Sequence, residues 1–275
     1  MVTSESTGGS PEPPAPEVPS RPIVVIPTYN EGDNIGRLLA RLLAVPVDLD
    51  VLVVDDSSQD DTAKIVTAAA DEHPGRVHLL QRPGKAGLGG AYIAGFRWAL
   101  SRSEYDAVVQ MDADFSHDPD DVVRLVHGLG LADLCIGSRY VPGGGVTDWS
   151  LRREALSRWG NAYSRVVLGV PIRDLTGGFK AWRAETLGAL DLSRCSATGY
   201  GFQIQTTAFA LCNGARAMEV PIIFRDRQAG ESKMHGGIVT EALIGVLALR
   251  RHTHARLRIT LRGRFDDSGR LLEPS

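Results

Sequence analysis

"PIVVIPTYNEGDNIGRLLARLLAVPVDLDVLVVDD", residues 22–56, contains two apolar runs separated by an amphipathic stretch. The runs 22–27 and 50–56 are rich in branched aliphatic residues, which favours buried strands. Between them, residues 33–44 carry leucines at helical spacing. Because two parallel strands need a crossover of this length, the stretch predicts a β-α-β unit.

The same alternation continues along the next eighty residues. Strand-like runs recur at 76–81, 107–112 and 133–138, and helical patterns at 60–72, 88–101 and 118–128. Strands and helices that alternate in this way predict an α/β, Rossmann-like fold with a mostly parallel central sheet flanked by helices. Ligands of such sheets bind beyond the carboxyl ends of the strands.

Polar residues gather where these strands end. They are Thr28 to Glu31 after the first strand, Asp55 and Asp56 after the second, Gly84 and Lys85 after the third, and Asp112 and Asp114 after the fourth. We therefore expect four strand ends to converge on one polar cleft.

Asp112 and Asp114 lie one residue apart in "MDADFSHDP", residues 111–119. Two carboxylates on one turn can bind the same hard cation, Mg²⁺ or Mn²⁺, whose charge offsets their mutual repulsion. The alternative is helix capping, because Asp118 could cap helix 118–128 with Asp121 at its third position. A D-x-D pair is common by itself, but its place at a strand end opposite other acidic strand ends favours the metal site.

Composition and charge narrow the functional classes. The chain has 275 residues, a formal net charge of -3 and three cysteines. This charge gives no general attraction to nucleic acid, and none is expected as a partner. The widely spaced cysteines fit neither a disulfide framework nor a zinc site, and they suit a reducing cytoplasm. A nicotinamide oxidoreductase would need a Gly-rich turn after the first strand, which residues 27–34 lack.

The two ends of the chain differ from its middle. Residues 1–20 are rich in Pro, Ser and Glu and predict a disordered segment before a domain at 21–236. Residues 237–275 predict an amphipathic helix and a basic tail, with an apolar run shorter than the roughly 20 residues that span a membrane. This suits peripheral attachment at the cytoplasmic face of the membrane. The alternative is a helix docked on the domain, followed by a solvated tail.

Eight blocks in the chain resemble, in their order, those of inverting family-2 glycosyltransferases. They are "VVIPTYNE", "VLVVDDSSQDDT", "RPGKAGLGGAY", "MDADFSHDP", "IGSRYVPGG", "TGGFKAWR", "GYGFQIQ" and "FRDRQAGESKM". The resemblance is closest to the polyprenyl (dolichyl) phosphate mannose synthases and runs from about Arg21 to Met234. It implies a GT-A fold in which a nucleotide sugar lies across the strand ends, with its diphosphate on the D-x-D metal.

The implied reaction transfers mannose from GDP-mannose to a polyprenyl monophosphate with inversion and gives polyprenyl phosphate β-mannose and GDP. The alternative is a polyprenyl-phosphate glucosyltransferase that uses UDP-glucose. A non-catalytic binding protein with this fold is a third possibility, disfavoured by the intact D-x-D pair. Family members without transmembrane helices often rely on a membrane-protein partner, and this chain could also do so.

The resemblance also assigns roles on the donor side of the cleft. It places Pro27, Tyr29, Asn30 and Glu31 beside the nucleoside and Asp56 near the base and ribose. Gly84 begins a Gly-rich segment that can bring backbone N–H groups to the nucleotide, and Lys85 adds positive charge. Asp112 and Asp114 are the implied metal ligands. Each of these residues could instead be structural: Tyr29 as part of the core, Asp56 as a helix cap.

On the acceptor side, the resemblance places four basic residues near the lipid phosphate: Arg139, Arg153, Arg227 and Lys233. With Asp114 they form the expected catalytic set, although any of the four could instead make a structural ion pair. Two positions depart from the family pattern. Ser116 stands where relatives often have Gln, so the third protein ligand of the metal is open, and Gln205 stands where a carboxylate is common and is assigned no catalytic role.

Overall fold

A central eight-stranded sheet organises the protein. The computed structural model describes residues 17–84, 87–195, 200–226 and 245–250, together with the backbone of 261–262, 264–265 and 271–272. The strands are β1 (Pro22–Thr28), β2 (Asp50–Asp55), β3 (Val77–Gln81), β4 (Ala107–Gln110), β5 (Leu134–Ser138), β6 (Gly145–Val146), β7 (Lys180–Arg183), β8 (Ala217–Pro221), β9 (Ile223–Phe224), β10 (Leu261–Arg262), β11 (Arg264–Phe265) and β12 (Leu271–Leu272). The helices are α1 (Gly32–Leu43), α2 (Thr62–Glu72), α3 (Gly87–Leu100), α4 (Asp121–Gly128), α5 (Leu151–Leu168), α6 (Ala184–Gly188) and α7 (Tyr200–Cys212), with a 3₁₀ turn at Leu192–Arg194.

The strand order is β10-β8-β5-β7-β4-β1-β2-β3. Every neighbouring pair is parallel except those of β7, which runs antiparallel to β4 and β5. Two small sheets lie apart from it, a parallel pair β6-β9 and an antiparallel pair β11-β12. The predicted α/β fold with a mostly parallel sheet is confirmed, and each of the five predicted strands is present.

The strands are apolar on both sides because helices cover both faces of the sheet. In β1, Ile23 and Val25 belong to one buried cluster, while Val24 and Ile26 belong to the other. The first cluster includes side chains of α3 and α7, and the second includes those of α1 and α4. Burial on alternating sides explains why the run 22–27 reads as continuously apolar.

Close packing of α3 on the sheet depends on Gly95. A Cβ atom added at this position would overlap Val25 and would lie 3.0 Å from a methyl group of Val54. The absent side chain lets the helix approach β1 and β2, and it places Tyr92 and Phe96 in the core with no exposed surface. This approach matters for the site, because Tyr92 reaches it from α3.

The predicted helix at 118–128 begins later than expected, at Asp121. Asp118 is therefore not its cap: its carboxylate accepts hydrogen bonds from Arg41 and Arg225, each at 3.0 Å. Residues 118–121 instead form a tight turn, in which the backbone N–H of Asp121 donates to the carbonyl of Asp118 at 3.0 Å, and Asp120 precedes the first helical residue. The alternative interpretation, in which Asp118 caps this helix, is therefore wrong.

Much of both ends lies outside the described residues, namely 1–16, 227–244, 251–260 and 273–275. The predicted disordered segment and basic tail therefore stay predictions, although residues 245–250 are helical. In the described part of the chain, no helix is both long enough and apolar enough to cross a membrane.

Candidate active site

The carboxyl ends of three strands and the first turn of α3 enclose an open pocket of about 170 Å³. It is lined by Pro27, Thr28, Tyr29, Glu31, Asp56, Gly87, Leu88, Ala91, Asp112, Ala113 and Asp114. The strands β1, β2 and β4 thus converge as the sequence predicts. Gly84 is not among the lining residues, and Lys85 lies outside the described residues.

Asp112 and Asp114 lie on the loop that leaves β4. The hydroxyl of Tyr92 donates to Oδ1 of Asp112 at 3.1 Å, and the backbone N–H of Ser116 donates to Oδ1 of Asp114 at 3.1 Å. Phe115, directly after Asp114, has a φ of 58°, which is unusual for a bulky residue. Such backbone strain, on the order of 1–3 kcal/mol, persists only where surrounding contacts hold it. The tight turn brings both carboxylates to one wall of the pocket.

Two buried groups shape the surroundings of these carboxylates. Burial, followed by the nearby charge of Asp112, raises the pKa of Tyr92 well above its ordinary value, so the phenol stays protonated and donates. Nδ1 of His117 accepts a hydrogen bond from the backbone N–H of Asp112 at 3.2 Å, which leaves its proton on Nε2. Burial lowers the pKa of His117 despite the neighbouring aspartates, so the imidazole adds no positive charge here.

The residues assigned to the nucleoside divide into two groups. Tyr29, Glu31 and Pro27 line the pocket, and the Glu31 carboxylate accepts a hydrogen bond from Asn34 at 3.0 Å. Asn30 does not line it: its Oδ1 accepts from the backbone N–H of Gln59 at 2.8 Å. With a φ of 58°, Asn30 joins the loop after β1 to the loop after β2. Its position suits holding the two loops together.

The adjacent carboxylates at the end of β2 serve different purposes. Asp55 is fully buried and accepts hydrogen bonds from Thr28 and from the backbone N–H of Ser58. Asp56 lines the pocket and accepts from Arg82 at 2.6 Å. Arg82 is a further residue of the site that was not predicted, although a basic residue directly after β3 is a signal in the sequence. Asp55 is thus structural, and only Asp56 faces the ligand space.

Arg139 is held in a buried ion pair. Its Nε and Nη2 lie 2.7 and 2.6 Å from the two carboxylate oxygens of Asp174, and its backbone N–H donates to the same carboxylate at 2.9 Å. Burial opposes ionisation of Asp174, but the charge and hydrogen bonds of Arg139 outweigh it and lower the pKa of Asp174. The guanidinium is 5% exposed. Arg139 therefore makes a structural ion pair, which was the alternative to a phosphate contact, and the phosphate contact stays a prediction.

Arg153 occupies the first turn of α5 and lies in an aromatic cluster formed by Trp149, Phe224 and His117. Its Nη1 donates to both carboxylate oxygens of Asp226 at 2.9 Å, and its guanidinium carbon lies 4.2 Å from the Trp149 ring centroid. Phe224 contacts both Trp149 and His117, with centroid distances of 5.4 and 5.5 Å. The cluster connects the Asp112–Asp114 loop to α5.

Two hydrogen-bond donors in this aromatic cluster are buried and have no partner among the residues that the structure describes: Nε of Arg153 and Nε1 of Trp149. Buried donors in proteins are nearly always paired, so two orphans side by side indicate a place for an acceptor group. The chain that follows β9 is attached to the loop after β4 at this point, since the backbone N–H of Arg225 donates to the carbonyl of Ser116 at 3.2 Å. The other two basic residues assigned to the acceptor, Arg227 and Lys233, follow this point and lie outside the described residues.

The residues of the β4 loop fit a hard divalent cation. Asp112 and Asp114 provide carboxylate oxygens. On the same loop, the hydroxyl oxygen of Ser116 is buried and has no hydrogen-bond partner among the described residues. Mg²⁺ and Mn²⁺ prefer oxygen ligands of this kind. Within the described ranges, no group of three His, Cys, Asp or Glu side chains could hold a metal alone.

A buried polar chain behind the pocket was also missed. Nε1 of Trp182 donates to Gln110 at 2.7 Å, and Gln110 contacts Oε1 of Gln203 at 3.3 Å. Nε2 of Gln203 is buried beside Gly178 and has no hydrogen-bond partner among the described residues. Oε1 of Gln205, on the same helix α7, is buried and unpartnered too. A glutamine in the apolar run 107–112 was the signal in the sequence.

Comparisons with known proteins agree with this geometry. The family model described as glycosyl transferase family 2 matches residues 23–190. An undecaprenyl-phosphate mannosyltransferase of Micrococcus luteus is 49% identical over 82% of this chain and 92% of its own length. A polyprenol monophosphomannose synthase of Mycolicibacterium smegmatis is 46% identical over 89% of this chain and 93% of its own length.

Solved structures with the same fold include glucosyl-3-phosphoglycerate synthase from Mycobacterium tuberculosis. Its complex with Mn²⁺, UDP and glucosyl-3-phosphoglycerate superposes with a TM-score of 0.60 at 20% identity, covering 89% of this chain and 85% of that one. Its complex with Mg²⁺ and UDP gives a TM-score of 0.61 at 22% identity, covering 86% and 81%. At this identity the likeness concerns the fold alone, and it confirms the GT-A expectation. From the family match and the two relatives, the chain belongs to glycosyl transferase family 2.

Proposed function

We propose that the protein transfers mannose from GDP-mannose to a polyprenyl monophosphate and forms polyprenyl phosphate mannose and GDP. The observation that carries the proposal is the pocket at the ends of β1, β2 and β4, with Asp112 and Asp114 on one wall, in a chain 46–49% identical to two enzymes named for this transfer. Residues 21–236 are the proposed catalytic domain. The protein is proposed to work as a peripheral protein at the cytoplasmic face of a membrane.

The donor diphosphate is proposed to lie at the wall formed by the β4 loop. Asp112 and Asp114 would hold a divalent cation there, which offsets the charge of the diphosphate and of the departing nucleotide. Tyr92 fixes one oxygen of Asp112 and Ser116 fixes one oxygen of Asp114. Preorganised ligands of this kind need little rearrangement when the substrate binds.

The acceptor phosphate is proposed to reach the aromatic cluster at the start of α5. Arg153 and Trp149 each present a buried N–H without a partner, and a phosphate oxygen would satisfy both. A phosphate monoester has a second pKa of about 6, so it is largely ionised at neutral pH and needs little help from a general base. The proposed reaction therefore assigns no general base, in keeping with Gln205, an amide, at the position where a carboxylate is common in the family.

The proposed chemistry is a single in-line displacement. An oxygen of the lipid phosphate attacks C1 of the mannosyl group from the side opposite the diphosphate. The bond from C1 to the diphosphate oxygen breaks, and GDP leaves with the electron pair. One displacement inverts the configuration at C1 and gives the β-mannosyl phosphate, with no covalent enzyme intermediate.

Guanine is favoured by the two carboxylates at the nucleoside end of the pocket, Glu31 and Asp56. A carboxylate can accept two hydrogen bonds from the N1–H and N2–H₂ edge of guanine, whereas uracil offers only N3–H. UDP-glucose is the second candidate, because structural neighbours with this fold are complexes with UDP. The carboxylates favour GDP-mannose.

The proposal is tested by following radiolabelled mannose from GDP-mannose into a detergent-dispersed short-chain polyprenyl phosphate. We expect a labelled lipid product that is lost in excess EDTA and restored by Mg²⁺ or Mn²⁺. A matched reaction with the non-phosphorylated polyprenol should give no product. Full transfer in excess EDTA would refute the metal assignment, and no transfer under any metal would refute the function.

A further inference from the structure

The outer face of α5 is apolar, although it points to solvent. Leu151, Leu156, Trp159 and Val166 are 83, 39, 52 and 74% exposed. They are four of the nine large hydrophobic side chains that stand exposed in the described residues. At 3.6 residues per turn they share about 140° of the helix circumference. We call this set of four residues the α5 outer face.

The opposite face of α5 explains how the helix is held. Asn161, Ser164 and Leu168 are buried, and Asn161 accepts hydrogen bonds from the backbone N–H groups of Leu175 and Thr176 at 2.8 and 3.1 Å. The side of the helix that packs on the protein is thus partly polar, whereas the four apolar side chains of the outer face point to solvent. A surface helix of a water-soluble domain usually turns its large apolar residues toward the core.

Positive charge lies within and beside the α5 outer face, with Arg152 inside its arc and Arg158 and Arg165 along one edge. Arg152, Arg158 and Arg165 are exposed on the same helix, and the one acidic residue of α5, Glu154, pairs with Arg158 at 2.8 Å. The Trp159 ring also stacks on Tyr163 with centroids 5.7 Å apart. Tryptophan and tyrosine beside aliphatic and basic side chains are typical of the boundary between lipid headgroups and acyl chains.

The position of the helix relative to the cleft supplies the second argument. The first turn of α5 carries Arg153, which lies against Trp149 and Asp226 in the aromatic cluster beside the Asp112–Asp114 loop. A surface in contact with the α5 outer face would therefore lie next to the proposed entry of the acceptor phosphate. A lipid acceptor needs this arrangement, because its phosphate must reach the cleft while its chain stays in the bilayer.

We propose that the α5 outer face rests on an anionic lipid bilayer and holds the cleft at the membrane surface. The proposal rests on the proposed function only for the identity of the acceptor. A second copy of the chain fits less well, since a stable interface buries roughly 800 Å² per partner and a single helix face offers a fraction of that. The three exposed arginines would attract an anionic bilayer, whereas they would repel the same arginines on a second copy of the chain.

The test uses the full-length protein, vesicles of phosphatidylcholine with or without phosphatidylglycerol, and the double variant Trp159→Glu/Val166→Glu. Both side chains are exposed, so the variant should fold normally, as checked by its melting temperature. We expect wild type to bind the anionic vesicles, and the double variant to need about tenfold more lipid or more. The control is Val18→Glu, which places the same charge at an apolar residue outside α5 that is 47% exposed. This variant should bind the vesicles like wild type.

A second measurement locates the contact. Brominated acyl chains should quench the fluorescence of the wild-type protein on vesicles, and Trp159→Phe should remove most of this quenching while the protein still binds. Vesicle binding unchanged in the double variant, or quenching unchanged in Trp159→Phe, would overturn the proposal and point to another segment. A wild-type dimer that the double variant dissociates would show that a second copy occupies the face.

Transfer to a detergent-dispersed short-chain acceptor separates this proposal from the proposed function. The double variant should keep that activity, because neither residue lies in the pocket. Loss of vesicle binding with detergent activity intact supports the proposal. Vesicle binding by a wild-type protein that transfers no mannose would leave the membrane contact standing and refute the function.

Discussion

The hydroxyl of Tyr92 lies 3.1 Å from Oδ1 of Asp112 and donates a hydrogen bond to it. Tyr92 is fully buried on α3, and its ring stacks on Phe202 of α7 with centroids 6.0 Å apart. Tyr92 is thus held between α3 and α7, and its hydroxyl fixes the orientation of the Asp112 carboxylate in the pocket wall. Metal binding should depend on this support, because the partners of a ligand set its geometry.

Replacing Tyr92 with phenylalanine tests the support directly. The variant loses a hydrogen bond to a charged group, worth about 1.5–3 kcal/mol, while keeping the ring. We expect about a tenfold higher Mn²⁺ concentration for half-maximal transfer. Tyr105→Phe is the control, since that hydroxyl contacts His78 rather than a pocket residue. An equal shift in both variants would assign Tyr92 a merely structural role.

Asp114→Ala should lower transfer by about a hundredfold or more, because it removes a ligand from the site of developing charge. The change removes little volume, so the melting temperature should fall by only a few degrees. Asp120→Ala serves as a control from the same loop, with a side chain that is 72% exposed. Near wild-type kcat/KM in Asp114→Ala with Mg²⁺ or Mn²⁺ present would show that Asp114 is not a ligand.

Trp149→Phe should weaken binding of the acceptor and leave the donor unaffected. The substitution keeps an aromatic ring beside Arg153 but removes the unpartnered indole N–H. We expect the KM for the polyprenyl phosphate to rise about five- to tenfold, as for the loss of one hydrogen bond, and the KM for GDP-mannose to stay unchanged. Trp98→Phe is the matched control, since Trp98 stacks on Tyr105 and lies outside the pocket lining. A rise in the donor KM alone would move the acceptor elsewhere.

The fold and the position of the cleft could be predicted from the sequence because both follow from local patterns. Apolar runs such as 22–27 mark the strands, and polar residues mark their ends. The start of α4 could not be placed, since the pair Asp118–Pro119 also suits a helix start, whereas the chain makes a turn there and the helix begins at Asp121. Long-range pairs were also out of reach: Arg139 and Asp174 are 35 residues apart, and Gln110 and Gln203 are 93 apart.

The α5 outer face could not have been recognised from the sequence for a different reason. Exposed apolar residues at helical spacing have the same pattern as a buried helix face. Only the structure shows that the polar residues Asn161 and Ser164 face inward. For Arg153, the sequence suggests a phosphate contact through the family resemblance alone. The structure adds a physical reason, because its buried Nε has no hydrogen-bond partner among the described residues.

Lys180 predicts a pH dependence of stability. The side chain is fully buried on β7, where Nζ donates to the carbonyl of Gln203 at 2.7 Å. Burial lowers the pKa of Lys180 to about 7, although Asp174 and Cys195 counteract it. In the unfolded chain the value is about 10.4, so between these pH values the unfolded state binds more protons and the unfolding free energy rises with pH.

The slope from this one group is at most about 1.4 kcal/mol per pH unit, reached between the two pKa values. Lys180→Met removes the amine at similar volume and should remove this rise, which urea unfolding at pH 7, 8 and 9 would measure as the difference between the two proteins. Parallel curves for wild type and Lys180→Met would show that the lysine is charged in the folded protein throughout this range.

Donor choice tests the central claim most directly. Wild-type protein is given short-chain polyprenyl phosphate with GDP-mannose or UDP-glucose, each radiolabelled and at the same subsaturating concentration. If Glu31 or Asp56 reaches the guanine edge, a mismatched base loses hydrogen bonds to that charged carboxylate, at about 1–3 kcal/mol, and the initial rate with GDP-mannose should be roughly ten- to a hundredfold higher. Equal rates from the two donors, or labelled lipid from UDP-glucose alone, would contradict the assignment of this protein as a mannosyltransferase that uses GDP-mannose.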